Sequence, residues 1–137
     1  MNTTRDELIR ATKLREQRRF AEAASAYERV VAAAPLLATE WYNLGFCRRM
    51  AGRYREALDA YERAIQLGVT EPEEAHLNRG VIFADHLLSP DLAEREYTQA
   101  LGLNPKYCPA LLNLANLAED CGDRSQATEL YRRVLDF

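Results

Sequence analysis

With 137 residues, 47% of them apolar and 28% charged, the chain has a globular balance and enough length to bury one core, which excludes disorder as its default state. A net charge of −3 argues against non-specific nucleic-acid binding, which needs a basic face to displace counterions, and no run approaches the ~18 apolar residues of a membrane helix. Six glycines and five prolines are few beside the abundant alanine, leucine, arginine and glutamate, so the expected fold is all-α.

Taken in chain order, the predicted helices fall into alternating kinds. ELIRATKL at Glu7 opens the chain, and AEAASAYERV at Ala21 follows it. WYNLGFCRRM at Trp41 is followed by EALDAYERAI at Glu56, LNRGV at Leu77 by LAEREYTQAL at Leu92, and LNLAN at Leu112 by QATELYRRVL at Gln126. Every second helix places an alanine four residues before a tyrosine: Ala23/Tyr27, Ala57/Tyr61, Ala93/Tyr97 and Ala127/Tyr131, at intervals of 34, 36 and 34 residues. The first helices repeat at 35. Self-similarity at this period is the signature of a helical array, here of four units at about 4–37, 38–71, 73–107 and 108–137 that form a single domain over 1–137.

The joints agree. Pro35 and Pro105 follow second helices, Pro72 opens a first helix, and Gly52 and Gly122 sit between paired helices. Thr4-x-x-Glu7 and Thr70-x-x-Glu73 read as capping boxes, and Ser89 and Asp123 read as caps. The third unit carries one extra residue before its first helix and one in the turn DHLLSPD.

The order Trp41, Leu44, Gly45, Ala57, Tyr61 resembles the tetratricopeptide repeat, a pattern of W-x-x-L-G followed by A-x-x-x-F/Y. The second unit matches it best, while the first lacks both the tryptophan and the glycine. The resemblance implies a right-handed superhelical array of antiparallel helix pairs with first helices on its concave side. Gly45, Gly80 and Ala115, with Ala57, Ala93 and Ala127, are then small where helices approach closely, and Tyr61, Tyr97 and Tyr131 fill the space between units.

No residues invite catalysis. His76 and His86 are ten apart, too far along a helix to share a metal, and no phosphate loop, H-E-x-x-H or nucleophile–base pair occurs. Cys47, Cys108 and Cys121 are odd in number without C-x-x-C spacing, which points away from disulfides and zinc and towards a reducing cytoplasm. MNTTRDELIR has no signal-peptide core. No metal, cofactor, nucleic-acid or membrane partner is expected.

What remains is a binding surface. Asn43, Asn78 and Asn113 recur at one register on successive first helices, and an amide that both donates and accepts can hold the backbone of an extended peptide, as asparagines in similar tetratricopeptide proteins do. Tyr42, Phe46, Leu77, Val81 and Leu112 supply an apolar floor. Arg5, Arg15 and Arg49 make one end basic, and Glu74, Asp85, Asn116, Glu119 and Asp120 make the other polar and acidic. The carboxylate clamp of the chaperone-binding relatives is absent, because Leu8, Thr12, Glu74 and Asn78 occupy its places.

The expected function is a scaffold or peptide-binding module without chemistry of its own. The alternative is the helical arm of a larger enzyme, because HLNRGVIFADHL and NPKYCPALLNLANLAEDCGDR loosely resemble bacterial proteins that join such repeats to a sulfotransferase. The last helix carries an apolar stripe of Ala127, Leu130, Tyr131, Val134 and Leu135 with no helix after it. That stripe implies either a longer natural chain or a homodimer through Leu130 and Val134.

Overall fold

A computed structural model describes residues 3–137. Eight α-helices occur among them: α1 (Thr3–Glu16), α2 (Phe20–Ala33), α3 (Ala38–Met50), α4 (Tyr54–Gln66), α5 (Pro72–Val81), α6 (Pro90–Leu103), α7 (Cys108–Asp120) and α8 (Arg124–Leu135). A π-helical turn, Ile82–His86, continues α5. The chain divides into two compact units that meet in sequence at Thr70 and Glu71, each of two antiparallel helix pairs.

In the first unit α1 pairs with α2, α3 with α4, and α2 with α3. Ala11, Leu14, Ala23, Ala24, Ala26, Tyr27, Leu44, Cys47 and Ala60 form its core, with Leu8, Phe20, Trp41 and Phe46 packed against them. The alanines are small because helix axes approach there, and Tyr27 and Tyr61, both fully buried, fill the gaps that result. Burying an aromatic ring of this size contributes about 1.5–3 kcal/mol, which outweighs its lost rotamer freedom. Gly45 shows how tight the fit is: a methyl there would stand 3.0 Å from Cγ and Cδ1 of Tyr61. Trp41 ties the loop between pairs, its indole Nε1 donating to the Pro35 carbonyl at 2.9 Å.

The second unit repeats the plan with α5–α6 and α7–α8. Ala93, Tyr97, Leu111, Leu114, Ala115 and Leu130 form its core. Here the approach is closer still, since a methyl at Gly80 would lie 2.4 Å from Cε1 of Tyr97. Leu130 is 4% exposed and spent inside this core, and Val134 packs on the same cluster. The expectation for Leu130 is therefore corrected, since its own unit buries it; Val134 is half-buried, and Leu135 and Phe137 remain exposed.

The turns within pairs share one closing pattern. At Gly52 the chain enters the left-handed region (φ 82°), with Gly52 N–H donating to Arg49 O and Arg53 N–H to Arg48 O; Gly122 and Asp123 repeat this. Arg18 adopts the same backbone in the first pair and Leu88 in the third.

Several sequence expectations are corrected here. The extra residue of the third unit does not lengthen its turn. The π-helical turn absorbs it, and the closing bond runs six residues, from Ser89 N–H to Phe83 O, instead of five. Thr4 lies inside α1, so Glu7 reaches Arg29 (3.0 Å) instead of capping. Glu71, in left-handed backbone, takes the cap place expected for Thr70. Ser89 holds the cap position of α6, but its hydroxyl donates to the Leu87 carbonyl. Among the described residues only Asp123 caps with its side chain, accepting from Gln126 N–H at 3.1 Å.

Candidate functional site

The first helices carry the residues singled out for binding, and the structure gives them unequal freedom. In the first unit, Arg15 on α1 donates to Asn43 Oδ1 on α3 at 2.6 Å, and Asn43 Nδ2 donates to Glu40 at 3.4 Å. Both ends of that amide are thus engaged within the protein. Tyr42 packs edge-on against Tyr61 with ring centres 5.4 Å apart, and Phe46 packs edge-on against Phe20 at 5.7 Å. The Arg49 guanidinium lies over the Phe46 ring at 5.6 Å.

The second unit is more open. Asn113 and Asn116 on α7 share a cleft of about 130 Å³ with Val81, Asp85, Leu117 and Asp120, and Tyr97 closes its base. Asn113 is half-buried; Asn116 is exposed and accepts from the Tyr131 hydroxyl at 2.8 Å, which leaves its amide N–H groups pointing elsewhere. Burial and the nearby Asp85 carboxylate push the Tyr97 phenol up to about 12, so it stays a neutral wall. Asn78 on α5 is half-buried, Leu77 and Val81 pack on the core, and Leu112 and Glu119 are exposed. The cleft therefore presents amides and carboxylates over an apolar base, a surface that suits N–H donors and positive charge.

One group escaped the sequence reading. Glu96 on α6 is 7% exposed, and its carboxylate accepts from Arg79 Nε at 2.6 Å and lies 3.5 Å from His76 Nδ1, both on α5. Burial alone would raise its pKa. The hydrogen bonds from His76 and Arg79 and the charge of Arg79 outweigh that effect and hold the carboxyl below the usual range. The signal was present in the repeat: Glu96 stands in the row Ala26, Ala60, Glu96, Leu130, and Arg79 in the row Arg10, Leu44, Arg79, Leu114. The third repeat is where a carboxylate in the first row meets an arginine in the second. Of the other reactive candidates, Cys47 is buried and its thiol is pushed up to about 11 by burial, which leaves little thiolate at neutral pH.

Comparison with known proteins gives the same repeat. Residues 38–67 and 110–136 each match the tetratricopeptide repeat. The tetratricopeptide repeat-containing protein trd-1 of Caenorhabditis elegans is 28% identical over 122 residues, which cover 88% of this chain and 15% of that protein. The chain thus spans a small part of that curated relative's length. The crystal structure of MamA superposes with a TM-score of 0.89 at 22% identity, over 98% of this chain and 78% of that one. The second repeat domain of human RPAP3, determined in complex with an HSP70 peptide, gives 0.73 at 22% identity over 81% and 91%. These likenesses show the fold, a helix-pair solenoid. None of these proteins is named as a sulfotransferase, and the enzyme-arm alternative gains no support from them. Among the described residues, no helix is long and apolar enough to cross a membrane.

Proposed function

Because the chain is a tetratricopeptide-repeat protein, we propose that it is a protein-interaction module that holds an extended segment of a partner along its first helices and has no chemistry of its own. The observation that carries this reading is the cleft on the second unit, where Asn113 and Asn116 stand beside Asp85 and Asp120 over Val81 and Leu117. Backbone amides of an extended chain find acceptors there, backbone carbonyls find amide donors, and neither demands a particular side chain. That the RPAP3 domain was determined with a peptide supports the choice of ligand class. In this reading the four pairs act as one domain, to which the more basic unit contributes Asn43, Tyr42, Phe46 and Arg49 and the acidic unit Asn78, Leu77, Leu112 and Glu119. Its place is the cytoplasm, since three free cysteines are what a reducing compartment maintains.

The test starts from peptides selected on the immobilised chain from a random display library. Titrating a selected peptide into the wild type and into Asn78→Ala/Asn113→Ala/Asn116→Ala should show at least tenfold weaker binding by the variant at unchanged helical content. Each amide hydrogen bond contributes about 0.5–1.5 kcal/mol net, so three suffice for that loss. Equal affinity for both proteins would remove the groove from the account.

A further inference from the structure

In the turn between α5 and α6 the left-handed position falls to a leucine, as it falls to Arg18 in the first pair. Where the second and fourth pairs place Gly52 and Gly122 in left-handed backbone, the third places Leu88 (φ 50°), and its side chain is 79% exposed. A leucine in that backbone is sterically disfavoured, and pointing it into water recovers nothing from burial. The π-helical turn just before it shifts the register so that this leucine stands at the tip.

Two residues on, α6 begins, and its first turns form one wall of a cleft of about 270 Å³ whose other walls come from the end of α7 and the start of α8. The base is apolar: Leu114 and Ala118 are buried, and Leu117 is half-buried. The rim is acidic, with Asp91 and Glu94 on α6 and Asp123 before α8, all exposed. Among the described residues none of these three carboxylates enters an ion pair, and only Asp123 is partly used, as the cap of α8. The amino ends of α6 and α8 offset part of the charge, at about half an elementary charge each, against three carboxylates. The surrounding unit deepens the effect: residues 71–137 carry 12 acidic and 6 basic side chains.

We propose that this cleft is a docking site for a basic segment of a partner protein, distinct from the first-helix groove. An arginine side chain lays its aliphatic stem on Leu114, Leu117 and Ala118 and sets its guanidinium among Asp91, Glu94 and Asp123, while an apolar residue of the same segment covers Leu88. Arginine suits the site better than lysine because its planar, weakly hydrated fork pairs with carboxylates while its stem covers apolar surface. Charge complementarity selects the occupant; an acidic or purely apolar segment gains nothing at this rim.

The probe is the capped peptide acetyl-Ala-Leu-Ala-Arg-Ala-amide, with analogues carrying norleucine or glutamate for arginine, followed by backbone amide chemical shifts of the 137-residue chain. The arginine peptide should give saturable shifts centred on Asp91, Glu94, Ala118, Cys121 and Gln126. Its affinity should fall at least fivefold in Asp91→Asn/Glu94→Gln and several-fold as salt rises, because a partly exposed ion pair is screened. Leu88→Ser should weaken the peptide by a smaller factor. Equal shifts with the norleucine analogue, shifts centred instead on Asn113 and Asn116, or indifference to the paired charge substitution would each overturn the proposal. Because the substituted carboxylates are exposed, helical content by circular dichroism should match the wild type; should the paired variant fail to fold, Glu94→Gln alone supplies the same comparison.

Discussion

The two units are built on one plan and differ in what fills it. Residues through Thr70 carry 12 basic and 9 acidic side chains, and those from Glu71 onward carry 6 and 12. The first unit keeps an apolar interior where the repeat asks for one, with Leu44 and Ala60 both fully buried. At the same places the third repeat, in the second unit, holds Arg79 and Glu96, joined at 2.6 Å, while the fourth keeps Leu114 and Leu130. The first closes both of its turns after unbroken α-helix, whereas the second absorbs an inserted residue as a π-helical turn and ends it on a leucine in left-handed backbone. A repeat thus tolerates exchange of its core chemistry when both partners change together, and tolerates insertion where a helix can widen locally.

The largest expected effect breaks the ion pair. Glu96→Ala leaves Arg79 partly buried beside His76 without its carboxylate, and losses on removing one partner of such a pair run to about 3–5 kcal/mol. Arg79→Leu/Glu96→Ala restores the chemistry of the first unit and should return stability to near or above the wild type, as read by urea unfolding. The pair also sets an acid limit. Because the Glu96 carboxyl titrates lower folded than unfolded, its contribution is complete above the ordinary glutamate range, near pH 4.3 when unfolded, and is lost as pH falls through the depressed folded value. The double variant should lose less stability than the wild type between about pH 5 and 3. An identical acid response in the two proteins would contradict this assignment.

Next in size are the two close approaches. Gly80→Ala forces a methyl against the buried Tyr97 ring, and overpacking of this kind costs about 1–3 kcal/mol. At Gly45 the corresponding contacts are 3.0 to 3.1 Å, and the better helix propensity of alanine, about 1 kcal/mol, offsets most of the squeeze. Thermal unfolding should therefore rank Gly80→Ala well below Gly45→Ala. The reverse order would mean that Tyr97 yields more easily than Tyr61.

The smallest effect compares the turns. Gly122→Ala places a side chain in left-handed backbone with open space around it, so only the backbone cost of about 1 kcal/mol is felt. Leu88→Gly relieves the same strain but gives the unfolded chain more freedom, so a gain of no more than about 1 kcal/mol is expected. A stabilised Leu88→Gly that still folds would show that this leucine is not kept for stability.

What the sequence made legible follows the range of the interactions. Helix pairs, their prolines and the glycine turns rest on local chemistry, and the alanine–tyrosine spacing marks each second helix. The interval of 36 residues between Ala57 and Ala93 announced two extra residues, one before α5 and one after it, but the spacing alone does not say whether turn or helix absorbs the second. Threonine caps at Thr4 and Thr70 failed because helix starts shifted by a residue or two, onto Thr3 and Pro72. The Asn43 amide on α3 meets Arg15 on α1 from 28 residues earlier, a contact that no local pattern records. Glu96 was readable only by aligning the repeats and asking why a carboxylate stands in a row of alanine and leucine.

Hydrogen exchange with a library-selected peptide at saturation tests the central claim most directly, that the first helices of the acidic unit hold a partner segment. The account predicts slowed exchange in residues 72–86 and 108–120, with α2 and α4 unchanged. Protection confined to α6 and α8, or none beyond that of a scrambled peptide, would contradict it.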